Sequence, residues 1–175
     1  MLCRGVERKW LTVDTDSQKS VKPVEFPRVI TKTRIDDKGR AKLSADYQHY
    51  FESLPEQTVF VTSLDRRIAE IYPISTWRAM EKFLADNEGM IQARRQAANA
   101  GLLGAECEVD TQGRVSINER LRTALGLDGQ ELHIQPYKRN RIRILSEAAF
   151  KAMMADLESA DPEQDEQILM AAGRP

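Results

Sequence analysis

From Val29 to Ile35 the chain alternates, with Ile30, Lys32 and Arg34 on one side and Val29, Thr31, Thr33 and Ile35 on the other, the period of a half-buried strand. A turn follows at Asp36 to Gly39. Ser44 then stands where a helix cap is wanted, ahead of Tyr47, Tyr50, Phe51 and Leu54, which form one apolar helical stripe. Two more strand-like runs, TVFVTSL and IAEIYP, lead into a longer amphipathic helix begun by Ser75 and striped by Trp77, Met80 and Leu84. The second half repeats the order. Asn118 opens a helix with Leu121 and Leu125 that Gly126 ends, ELHIQPY and RIRIL read as strands, and Ser146 starts a helix carrying Phe150, Met153, Met154 and Leu157. The unit is β-hairpin, helix, β-hairpin, helix, written twice.

The repetition extends to individual residues. Laying Asp36 on Asp110 puts Gly39 on Gly113, Arg40 on Arg114, Ile35 on Val109 and Leu43 on Ile117. With the offset one residue shorter, Trp77 falls on Phe150 and Met80 on Met153. In both IDDKGR and VDTQGR, Asp opens a tight turn and Gly closes it. Asp bonds the turn amides, and Gly takes positive φ without a Cβ clash. Arg40 and Arg114 are therefore the first residues after a hairpin tip.

Each half has a compact part of roughly 50 residues, too small to bury an adequate core alone, so the halves should pack as one pseudo-symmetric α+β body. The expected organisation is an N-terminal tail at 1–25, a first repeat at 28–86, a connecting helix at 87–104, a second repeat at 105–157 and an acidic tail at 158–175. Both tails lack periodicity. The connecting stretch GMIQARRQAANAGLLG is rich in Ala and prone to helix.

Composition narrows the class. At 41% hydrophobic and 30% charged, the 175 residues read as a globular chain. No segment approaches the roughly 18 unbroken apolar residues of a membrane span, and MLCRGVERKW lacks a signal-peptide core, so a cytoplasmic address is expected. Cys3 and Cys107 match no metal spacing with His49 or His133, which predicts neither disulfide nor zinc. The net charge of −1 hides an uneven spread: from Asp156 onward six acids face one base, and the middle of the chain is basic.

The doubled D-x-x-G-R motif, the stretch FVTSLDRRIAEIYPISTW and the run GAECEVDTQGRVSI in the second half together resemble the MraZ family of bacterial transcriptional regulators, built from two SpoVT-AbrB-type repeats. The resemblance spans Arg28 to about Ala155 and implies swapped-hairpin β units with flanking helices. It also implies ring oligomers, binding to repeated promoter boxes on double-stranded DNA, and repression of a cell-division and cell-wall gene cluster that includes the protein's own gene. A nucleoid-associated location follows. Carried over by position, Arg40 and Arg114 are the motif arginines, with Lys38 and Gln112 beside them and Asp36 and Asp110 as the motif aspartates. Two departures stand out. Of the family's early Phe-Arg-Gly only Arg28 is kept, and Ser44 and Asn118 stand where many members have Pro after the motif strand. Pro at a first helical position and Ser or Asn at a cap both start a helix.

For Arg40 and Arg114 two readings stand side by side: outward donation to phosphates or guanine edges, or an ion pair with the Asp four residues earlier. Asp36, Gly39, Asp110 and Gly113 are read as structural turn residues. Lys32, Arg34, Lys38 and Lys42 cluster around the first turn, and Lys138, Arg139, Arg141 and Arg143 around the last hairpin. Each cluster is either a nucleic-acid surface or a charged, solvated strand edge. Candidate DNA contacts are Arg40, Arg114, Lys38, Arg34, Lys32, Gln112 and Arg28. Tyr47, Phe51 and Trp77 are assigned to the core, and His133 to the surface. No catalytic constellation or cofactor motif is present, so the reading is a non-enzymatic, cofactor-free, DNA-binding homo-oligomer. The alternative is a divergent paralogue that acts as a structural or interaction protein without promoter recognition.

Overall fold

The computed structural model describes residues 24–159 and 161–173. Nearly all of the expected N-terminal tail, Cys3 included, lies outside them.

The first half contains β1 (Thr31–Thr33), β2 (Arg40–Lys42), α1 (Ala45–Glu52), β3 (Thr58–Thr62), β4 (Ala69–Pro73) and α2 (Ile74–Asp86). Helix α3 (Ile91–Leu103) follows. The second half contains β5 (Ala105–Glu108), β6 (Arg114–Ser116), α4 (Glu119–Leu125), β7 (Leu132–Tyr137), β8 (Arg141–Ser146) and α5 (Glu147–Glu158). A last helix, α6 (Pro162–Ala171), lies in the stretch expected to be an acidic tail without periodicity. Asp161 caps it through the Glu163 amide and Pro162 opens it, a combination of start signals that outweighs its missing apolar stripe.

The fold is α+β, and its strands are shared between halves. One antiparallel sheet runs β1-β7-β8-β4-β3-β5, and a separate ribbon joins β2 to β6. The order is the same from either end once the halves are exchanged. Strands β1 and β2 flank a single turn yet share only the bridge Ile35↔Ala41, because each finds its main partner in the other half. The central seam is β4 against β8, pairing Ala69 with Ile144 and Ile71 with Ile142. Strand β1 is shorter than the alternation from Val29 to Ile35 suggests. As an edge strand it has β7 alone to pair with, and Val29 and Ile30 are exposed beyond it.

Tyr47 and Phe51 of α1, Leu121 of α4 and the inward residues Val59, Ile71, Ile134, Ile142 and Ile144 form one core with Ala41 and Val115 of the ribbon. Burying a side chain of this size contributes about 1.5–3 kcal/mol, so a core assembled from both halves is what makes the body stable. Trp77 enters a second cluster, stacked 4.0 Å from Phe60 against Tyr72 and Ala100. Helix α2 starts at Ile74, directly after Pro73 and ahead of Ser75, with no capping side chain. His133 is only 3% exposed, which overturns its assignment to the surface. Strand β7 is interior, and α5 covers it: the imidazole stacks 3.7 Å from Phe150 and meets Glu147 Oε2 at 2.8 Å. Among the described residues no helix is long and apolar enough to cross a membrane.

Candidate nucleic-acid interface

The two motif turns are built alike. Asp36 Oδ1 accepts from the amides of Lys38 (3.0 Å) and Arg40 (2.9 Å), and Asp36 O accepts from Gly39 N at 2.9 Å. Asp110 Oδ1 accepts from Gln112 N (2.9 Å) and Arg114 N (2.8 Å), with Gly113 N on Asp110 O at 2.8 Å. Gly39 and Gly113 have φ of 75° and 71°, which an L side chain adopts only under strain. Each glycine is also covered by the helix of one half: Arg122 of α4 lies over Gly39 and Gln48 of α1 over Gly113. Gln48 further donates to Thr111 O at 3.1 Å, so α1 holds the second turn and α4 the first.

Ribbon register brings the motif arginines together. Arg40 pairs with Ser116, Ala41 with Val115 and Lys42 with Arg114. Alternation then puts Arg40, Lys42, Arg114 and Ser116 on the outer face, while Ala41 and Val115 point inward and are fully buried. Three cations, two from the first half and one from the second, thus share one surface. Their surroundings differ. Arg40 donates Nε and Nη2 to Asp36 Oδ2 at 2.9 and 2.8 Å, and its Nη1 lies 3.9 Å from Asp110. The Arg40 hydrogen bond, with the turn amides, holds the Asp36 carboxyl down from its ordinary 3.8 to about 2. Amide donation, chiefly from Arg114, also lowers Asp110. The Arg114 guanidinium and the Lys42 ammonium have no ion pair or hydrogen bond among the described residues.

The chain is 33% identical over 144 residues to the transcriptional regulator MraZ of Acidobacterium capsulatum, covering 81% of this chain and 94% of that protein. It is 38% identical over 100 residues to that of Koribacter versatilis (56% and 68%) and 30% over 134 residues to that of Tolumonas auensis (75% and 86%). The chain belongs to the MraZ family. No general family model matches it.

The remaining cations of this MraZ-family chain divide by environment. Lys38 and Gln112 are exposed at the turn tips. Arg34 is exposed just beyond β1; Lys32 is exposed but bonded to Glu131, and Arg28 lies 3.5 Å from Glu25. The cluster around the last hairpin splits. Lys138 and Arg139 are exposed at its tip, whereas Arg141 and Arg143 reach Glu70 at 3.3 and 3.1 Å. The Glu70 side chain is 9% exposed and also accepts from Tyr72 Oη, and Arg143 lies 3.3 Å from the Tyr137 ring centroid. A solvated edge is therefore not the explanation for these two arginines. Strand β8 is interior, and its cations are paired across β4. Glu70 escaped sequence reading, although an acid inside the apolar run AEIYP was a signal for a buried partner.

Proposed function

We propose that this protein binds double-stranded DNA through the outer face of the β2–β6 ribbon and so regulates transcription. One observation carries the reading: Arg40, Lys42 and Arg114 lie side by side on a ribbon whose other face is sealed in the core. Asp36 fixes one edge of the Arg40 guanidinium and leaves Nη1 donors for a phosphate or a guanine edge. Lys38 and Gln112 extend the surface at its two ends. Three or four charge contacts give weak binding, so we further propose that the chain acts as a ring homo-oligomer on direct promoter repeats. Linked copies gain avidity of roughly 10² to 10⁴. Repression of a cell-division and cell-wall gene cluster, including its own gene, is the regulatory outcome we propose from the family resemblance.

Fluorescence anisotropy with the duplex upstream of the protein's own gene, against a scrambled duplex, tests this. Wild type should prefer the upstream duplex and weaken steeply with salt through counterion release. Arg40→Ala and Arg114→Ala should each weaken binding with the circular dichroism spectrum unchanged. Equal, weak retention of both duplexes would leave charge without recognition, and a monomer at micromolar concentration by analytical ultracentrifugation would remove the avidity mechanism.

A further inference from the structure

Beside the ribbon, an open depression of about 610 Å³ is lined by Lys42, Ser44, Gln48, Gln112 and Arg114 together with the start of α1. The first hydrogen bond of α1 runs from Gln48 N to Ser44 O, which leaves the amides of Ala45, Asp46 and Tyr47 without an acceptor inside the helix. Ser44 occupies the cap position with extended backbone but makes no capping bond, and its Oγ is buried without a partner among the described residues. A buried hydroxyl left unpaired costs free energy unless a ligand completes it. The first-turn carboxylate, Asp46, does not close the site: it lines a different depression with Phe26, Val29 and His49. Gln48 is committed to Glu52 and Thr111.

The matching end of α4 is closed. Asn118 Oδ1 accepts from Leu121 N at 2.8 Å, its Nδ2 donates to Leu103 O at 2.6 Å, and Glu119 fills the first turn. Ser116 stands where Lys42 stands in the first half, and Arg40 is engaged by Asp36 where the Arg114 guanidinium has no partner among the described residues. Among the described residues, free amides at a positive helix end, an unpaired hydroxyl and two unpaired cations therefore converge once.

We infer that the N terminus of α1, with Lys42, Ser44, Gln112 and Arg114, binds one phosphate group, and that the equivalent end of α4 does not. Helix amides and Arg together match the charge and the acceptor geometry of a phosphate. The identity of the bearer as DNA backbone rests on the proposed DNA binding; the site itself does not. It makes the two halves unequal: one half supplies the helix end, the other supplies Arg114 and Gln112.

Two measurements on the full chain separate these statements. In the first, hydrogen–deuterium exchange compares inorganic phosphate with chloride at equal ionic strength. Phosphate should slow exchange in the segment holding Ala45 to Tyr47 and not in the one holding Glu119 to Leu121, and Arg114→Gln should abolish the effect. In the second, duplex affinity is followed across a salt series. Arg114→Gln should lower the slope of log K against log salt by about 0.9. Ser44→Asp, which keeps a good cap and puts a negative charge in the site, should cost about tenfold or more in affinity with melting temperature retained; Lys42→Gln is the companion variant should that fold fail. Protection by phosphate with no duplex binding leaves the site standing and removes the DNA reading. Duplex binding with no protection, and with affinity indifferent to Ser44→Asp, overturns the site and spares the DNA reading.

Discussion

Asp36 illustrates how one residue links turn, charge and pH. Its folded carboxyl lies near 2 against an ordinary 3.8, so the unfolded chain takes up the proton first as pH falls. The stabilisation is complete above about pH 4 and fades as pH falls towards 2. Carbon-detected titration of the Asp36 carboxyl should show this low midpoint, and in Arg40→Gln the midpoint should rise towards 3.8, since the Arg40 side chain is the leading cause. The turn itself was readable, because Asp at the first position and Gly at the fourth have few other uses in such a pattern. The fates of Arg141 and Arg143 were not. Next to Lys138 and Arg139 in sequence they look the same, and only the register of β8 on β4 turns them onto Glu70. His133 was misjudged for the same reason: alternation along a strand says nothing about a helix lying over the second face.

At the scale of elements, the caps of α1 and α4 make a paired test. Removing Asn118 as Asn118→Ala should cost about 1 kcal/mol in a urea titration, because it deletes the bond to Leu121 N. Ser44→Ala should cost close to nothing in the absence of phosphate, since Ser44 makes no such bond and its buried Oγ is unpartnered among the described residues. Equal losses would mean that Ser44 caps α1 in solution. Helix existence was largely legible from apolar stripes, and the Gly126 stop is confirmed by its φ of 61°. Strand length was less so. Alternation marks which residues suit a strand, whereas the extent of β1 depends on how far β7 runs alongside.

For the whole molecule, the consequence of exchanged strands is that neither half owns a complete sheet. A fragment of residues 24–104 lacks the main partners of β1 and β2 and one of the two partners of each of β3 and β4, and should show no cooperative transition by calorimetry, while mixing it with 105–173 should restore one. A cooperative transition in the fragment alone would show that β3 and β4 with α1 and α2 suffice. The sequence by itself determined the repeat, the two Asp–Gly turns, the α+β class and most of the core residues, because hydrophobic period and turn chemistry act within a few residues of each other. Which strand pairs with which half, which arginines stay free on the ribbon and which are consumed by Glu70, and why one helix end is open while its counterpart is capped were decided only by the tertiary structure. Those are questions of proximity between residues far apart in the chain, and no local propensity encodes them.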